Sequence, residues 1–255
     1  MKPKDQPLKI WLTGAGSGIG RALALHLAQQ GHQLVVSGRS EAPLLALAAE
    51  QPHCIIPLVC DVTDADSVRQ AAQRIEARLG YLDQVILNAG TCEYIDQAQV
   101  DLALVRRVME TNFLGLVACV EVALPLLKKV PLGHQPRLVA ISSAAALAPL
   151  PRAEAYGASK AAVSYFMESL RLDLAQQGVA VTVVYPGFVA TPLTAQNDFP
   201  MPMQVTAAAM AEAIVRGVAR GRPEIRYPLF FVGLVGFLGR LPFRLRQWLS
   251  RKMVR

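Results

Sequence analysis

Short apolar runs alternate with longer stretches of helical spacing along most of the chain, and few folds accept that order. Runs of strand length occupy 8–12, 33–37, 54–59, 84–87, 137–141 and 179–185. Apolar residues recur at helical intervals over 21–30, 41–50, 66–79, 98–129, 155–176 and 206–220. A helix between two strands carries the chain back to its starting edge, so the strands pair in parallel. The runs are continuously apolar, as strands covered on both faces are. The expected fold class is α/β: a doubly wound parallel sheet with helices on both faces, formed as a single domain over 1–222. An apolar and basic C-terminal extension over 223–255 follows it.

Composition supports a packed chain and locates its charge. Apolar residues make up 53% and charged residues 18%, which excludes a disordered protein. The net charge of +7 is unevenly spread. Residues 216–255 hold ten basic and one acidic residue, a net +9, while 1–215 hold sixteen basic and eighteen acidic, a net −2. The body therefore carries no basic excess for a nucleic acid, and no nucleic-acid partner is expected. No apolar stretch follows the first seven residues before Gly14, so no signal peptide is expected. Cys54, Cys60, Cys92 and Cys119 form no close pair, which reads as buried thiols in a reducing, cytoplasmic compartment. No metal site is expected. His26, His32, His53 and His134 match no catalytic pattern and read as structural or solvated.

The first strand runs into Thr13-Gly14-Ala15-Gly16-Ser17-Gly18-Ile19-Gly20 and directly into a helix. Glycines there let the backbone approach a pyrophosphate, and the helix N-terminus offers free N–H groups to it. This makes the sheet Rossmann-like. The second strand ends in Ser37-Gly38-Arg39-Ser40, without the acid that usually takes the 2′-hydroxyl of NAD. Arg39 suits a 2′-phosphate instead, so NADP(H) is the preferred cofactor and NAD(H) the alternative.

Tyr156 and Lys160 stand four apart in a helical stretch and so share a face. A lysine beside a tyrosine favours the phenolate and lowers the phenol pKa towards neutrality. Ser142-Ser143 closes a strand thirteen residues earlier, at the sheet end where such folds place their ligands.

In these motifs the chain resembles the short-chain dehydrogenase/reductase family over about residues 8–222. Thr13-Gly14, with Ser17, Gly18, Ile19 and Gly20, resembles its cofactor turn. Asp61-Val62 is similar to the acid stretch that meets the adenine, and Asn88-Ala89-Gly90 to the segment after the fourth strand. Asn112, Ser143, Tyr156 and Lys160 match its catalytic residues. Pro186-Gly187, Val189 and Thr191 match the stretch bordering the nicotinamide. The resemblance implies an NAD(P)-dependent oxidoreductase interconverting a carbonyl and an alcohol. Tyr156 would be acid/base and Ser143 would orient the substrate oxygen. Lys160 would bind the ribose and depress the Tyr156 pKa, and Asn112 would hold a water leading to Lys160. A non-catalytic dinucleotide sensor or scaffold is the alternative on the same fold. Two departures are Leu87 in place of an asparagine and Ala144-Ala145-Ala146 in place of a glycine after the serine. The third is the missing glycine-rich final strand, for which 222–227 offers a short substitute.

The segment after Gly187 includes Phe188, Val189, Leu193, Phe199, Met201, Met203 and Val205, with Asp198 its one charge before Ala211. Adaptable apolar groups there suit a lipophilic carbonyl or alcohol. The extension 228–255 mixes an apolar stretch with arginines. It reads either as an interfacial anchor at the inner face of a membrane or as a contact between subunits of a homodimer or homotetramer. Its apolar part, 228–241, is too short to cross a bilayer.

Overall fold

The computed structural model describes residues 7–96 and 99–251. The start of the expected helix at Ala98, and Lys252 and Arg255 of the basic extension, lie outside the described residues. Six strands follow the expected runs: β1 (Lys9–Thr13), β2 (Gln33–Gly38), β3 (Ile55–Val59), β4 (Gln84–Leu87), β5 (Arg137–Ile141) and β6 (Ala180–Pro186). A two-stranded ribbon, β7 (Val189–Ala190) with β8 (Val205–Thr206), ties the two ends of the segment after β6 together. β9 (Glu224–Tyr227) completes a seven-stranded sheet in the order β3-β2-β1-β4-β5-β6-β9. Every pairing in the sheet is parallel. The order reverses between β1 and β4, which opens a crevice at the strands' C-terminal ends.

The inner strands β1, β2, β4, β5 and β6 are buried on both faces, which explains their unbroken apolar runs. Ile10 and Leu12 of β1 enter one core with Leu34 and Val36 of β2, against α1 (Gly18–Gln29), α2 (Glu41–Glu50) and α7 (Ala207–Ala219). Trp11 and Val35 point the other way, into the core shared with α3 (Ala65–Leu79), α5 (Gly115–Lys128) and α6 (Glu154–Ala175). Trp11 is fully buried, and its indole N–H donates to Ser37 Oγ at 3.0 Å. That bond satisfies the one polar atom such a ring brings inside.

The helix expected over 98–129 departs from regularity in the middle. α4 (Leu102–Met109) runs into a π-helical turn at Glu110–Leu114 before α5. A π turn widens the helix by one residue, a device found often at functional sites. Together these stretches form a 27-residue helix, Leu102–Lys128, apolar and long enough by composition to cross a membrane. The sequence reading had pointed to 228–241 alone. Leu116, Val120, Ala123 and Leu127 instead bury this helix against the sheet, as the core helix of an α/β layer must be.

The extension does not lie apart from the sheet. β9 pairs with β6 from Val183↔Glu224 to Pro186↔Tyr227. α8 (Leu229–Arg240) follows a cis Tyr227-Pro228 bond, and its Val232 and Val235 enter the core. α9 (Phe243–Arg251) follows and buries no residue. The division at 222 is one of sequence character and falls inside the folded sheet.

Candidate active site

A cleft of about 490 Å³ runs across the C-terminal ends of β1, β4, β5 and β6. Its first wall is the turn between β1 and α1. Gly14 (φ +66°) and Gly18 (φ +53°) take conformations that side chains disfavour. Gly20 serves differently: a Cβ there would lie 2.2 Å from Gly14 O. Gly20 therefore lets α1 press against the turn and does not line the cleft. Ser17 caps α1 without a side-chain hydrogen bond to the helix. The helix start therefore faces the cleft with N–H groups uncapped by a side chain, as a bound phosphate requires. Arg39, Ser40 and Pro43 close the far end, and Asp61 is the one carboxylate among the lining residues. Asp61 Oδ1 accepts from Thr63 N at 3.0 Å and Thr63 Oγ1 at 2.8 Å.

The second wall is braced from behind. Thr13 is buried, and its Oγ1 accepts from Asn88 N at 3.0 Å and Ala89 N at 3.1 Å. Asn88 Nδ2 donates to Gly14 O at 2.9 Å. These bonds lock the segment after β4 to the glycine turn. Asn112, in the π turn, is wholly buried and off the cleft wall. Its Oδ1 accepts from Thr91 N at 2.7 Å, and its Nδ2 donates to Thr91 O and Ser159 Oγ, both at 2.9 Å. The widened turn thus fastens the loop after β4 to α6.

Ser143, Tyr156 and Lys160 meet at the other end of the cleft, with Pro186, Gly187, Val189 and Thr191 opposite. Lys160 Nζ donates to Ile141 O at 2.9 Å and lies 6.0 Å from the Tyr156 ring centre. Ser142 Oγ donates to Lys160 O at 3.0 Å, fixing α6 to the end of β5. Burial holds the Tyr156 phenol well above its ordinary pKa, with the neighbouring Cys92 thiol adding to the rise and a hydrogen bond from Ser143 opposing it. The expected lowering by Lys160 is not seen: burial and Cys92 raise this pKa, and the group that opposes them is Ser143. Burial also lowers the Lys160 ammonium to about 8. Tyr156 thus keeps its proton at neutral pH and can give it to an oxygen placed against it.

The reading of all four cysteines as buried thiols is corrected at Cys54 and Cys92, which are half-buried. Cys60 and Cys119 are core thiols, but half-buried Cys92 lies at the site, with its pKa raised by burial. His134 proves structural, its Nδ1 2.7 Å from Asp83 Oδ1.

An aromatic row that begins at Tyr94, a neighbour of Tyr156, crosses three segments. Tyr94 meets Phe199 edge-on at 5.3 Å, Phe199 meets Phe188 at 6.1 Å, and Phe188 meets Phe231 of α8 at 5.2 Å. Arg152 (φ +65°) pairs with Asp96 and Asp198, both at 2.6 Å, and its guanidinium lies 5.7 Å from the Tyr94 ring centre. Sequence reasoning missed Tyr94, Arg152 and Phe231, whose partners are far away in the chain. Gly16, Ser142 and Thr194 also line the cleft; each adjoins or pairs with a residue the motifs did mark.

The fold and cleft define a dinucleotide-binding α/β protein of the Rossmann type. The family model for short chain dehydrogenases matches residues 9–201. A Myxococcus xanthus protein described as an uncharacterized oxidoreductase is 40% identical over 220 residues, 85% of this chain and 86% of that one. The 11-beta-hydroxysteroid dehydrogenase A of Sesamum indicum is 31% identical over 244 residues, 87% of this chain and 68% of that one. The crystal structure of a Burkholderia phymatum short chain dehydrogenase/reductase in complex with NAD shares the fold, with a TM-score of 0.83. That match covers 91% of this chain and 93% of that one, at 22% identity. The chain belongs to the short-chain dehydrogenase/reductase family, and it is an NAD(P)-dependent oxidoreductase.

Proposed function

We propose that the protein is an NADP(H)-dependent carbonyl reductase or alcohol dehydrogenase acting on a lipophilic substrate. The observation that carries this is the convergence of Ser143, Tyr156 and Lys160 at one end of a cleft whose other end is a glycine turn beside Arg39. Gly14, Ser17, Gly18 and the start of α1 would hold a pyrophosphate, and Arg39 a 2′-phosphate. Asp61 and Val62 would face the adenine. Lys160 would meet the nicotinamide ribose, between Ala89-Gly90 and the segment Pro186-Gly187, Val189 and Thr191. The cofactor supplies the hydride for reduction and accepts it for oxidation.

Ser143 orients the carbonyl oxygen by hydrogen bonding, and that bond strengthens as charge gathers there. Tyr156 protonates the same oxygen. Its raised pKa keeps the proton on the phenol at neutral pH, so the group starts in the form that reduction requires. Lys160 brings a positive charge beside the site, and its pKa of about 8 leaves it mostly charged at neutral pH. Asn112 acts from behind, holding the Thr91 loop and Ser159 of α6 in register. The aromatic row of Tyr94, Phe199, Phe188 and Phe231 favours an apolar substrate. The similarity to a hydroxysteroid dehydrogenase supports the same class.

Turnover of a panel of lipophilic ketones and aldehydes, followed by NADPH absorbance, tests the reading. Tyr156→Phe abolishes turnover while NADPH binding persists, and Arg39→Asp shifts preference towards NADH. Near-normal reduction by the first variant refutes the role of Tyr156. An unchanged kcat/KM ratio for the two cofactors in the second refutes the NADP(H) assignment.

A further inference from the structure

α8 and α9 present an apolar surface that the fold leaves uncovered, beside the substrate end of the cleft. The inner side of α8 packs tightly. Val232 and Val235 are in the core, and a Cβ on Gly239 would lie 1.9 Å from Leu147 O. Its outer side exposes Phe230 (70%), Leu234 (56%) and Phe237 (62%), with Leu229 at the margin (71%). α9 starts after two intervening residues and exposes Phe243 (66%), Leu245 (45%) and Trp248 (56%). Single exposed apolar residues are ordinary, but seven large ones on two consecutive helices mark an interaction surface.

Charge decides what covers it. No Asp or Glu occurs after Glu224, while Arg240, Arg244, Arg246 and Arg251 punctuate the apolar residues. Arg246 is committed to capping α8, donating to Gly239 O at 3.1 Å. Arg240, Arg244 and Arg251 are exposed. A twofold contact between copies through this surface would set these arginines against the same arginines with no acid from the segment to answer them. A surface of anionic headgroups over an apolar layer matches both components. At twelve residues α8 cannot span a bilayer, so it would lie along the surface.

We propose that α8 and α9 dock the protein on the surface of an anionic phospholipid membrane. The docked face adjoins the cleft: Phe231 of α8 touches Phe188, and it lies 2.8 Å from where a Cβ on Gly187 of the cleft wall would stand. Docking does not depend on the reaction assigned above. The consequence that a lipophilic substrate arrives from the bilayer does rest on that reading.

Flotation of the full chain with vesicles tests the docking without using turnover. Vesicles of phosphatidylcholine containing 30% phosphatidylglycerol bind the protein, and vesicles of phosphatidylcholine alone bind it far less. The chain has two tryptophans, and Trp11 is buried. A blue shift of emission on binding therefore reports Trp248, and Trp248→Phe removes it. Replacing Arg240, Arg244 and Arg251 by Gln weakens binding on the order of 100-fold, from roughly fivefold per basic residue near such a surface. NADPH binding by that variant shows it is folded; should it misfold, Phe230→Ser with Phe237→Ser serves the same end. The proposal is overturned if the full chain floats with neither vesicle. It is equally overturned if the substitutions dissociate an oligomer in light scattering and leave flotation unchanged.

Discussion

Replacing Lys160 by Met should raise stability at neutral pH while removing activity. Burial lowers the Lys160 ammonium from its ordinary 10.5 to about 8. At 1.36 kcal/mol per pKa unit, holding that charge costs the folded state about 3 kcal/mol. Below pH 8 the lysine is protonated in both states, and the cost is present in full. Between pH 8 and 10.5 the unfolded chain binds more protons than the folded one, so the stability of the unaltered protein climbs with pH. Methionine has a similar length and no charge to bury. It leaves Ile141 O without the Nζ donor at 2.9 Å, a loss of about 1 kcal/mol. The variant should thus be about 2 kcal/mol more stable at pH 7, and that advantage should fall by about 2 kcal/mol on reaching about pH 9.5. Urea unfolding followed by circular dichroism at both pH values measures the difference, and other titrating groups cancel in it. A variant less stable than the unaltered protein at pH 7 would refute the reasoning. So would a stability difference that ignores pH.

Two glycines of α8 should respond oppositely to alanine. Gly239→Ala meets Leu147 O at 1.9 Å and must lift the helix, losing about 2 kcal/mol despite alanine's better propensity. Gly233→Ala meets nothing within 4 Å and should gain up to about 1 kcal/mol; thermal unfolding of the two variants reads both signs. Arg152→Gln releases Asp96 and Asp198 together. Exposed pairs contribute up to about 1 kcal/mol each, so KM should rise about three- to tenfold with kcat nearly kept. Hydrogen exchange over 188–205 should quicken alongside, and Arg152→Lys should recover part of both effects.

The expected sheet was legible because β1, β2, β4, β5 and β6 are buried on both faces, and these strands and the edge strand β3 each write a continuous apolar run. The glycine turn, Ser143, Tyr156 and Lys160 were legible for a related reason: their chemistry depends on short spacings within one element or turn. Their energetics were not. A tyrosine four residues from a lysine has a lowered pKa only where their attraction exceeds the cost of burying the phenolate. Here the pair is buried, and desolvation raises the phenol and lowers the ammonium. The π turn was equally hidden, since an extra residue in a helical turn barely disturbs the apolar rhythm of 98–129.

The sequence by itself determined the order of strands and helices, the position of the glycine turn and the division of charge between body and extension. All of these follow from local spacing or from counting. Only the tertiary structure decided how the extension is used. β9 pairs with a strand some forty residues earlier, α8 buries one side and leaves the other bare, and Phe231 reaches Phe188 across the cleft wall. The same holds for Arg152, whose partners Asp96 and Asp198 lie on separate loops. Such contacts depend on which distant segments the sheet brings together, and one-dimensional spacing carries no record of that.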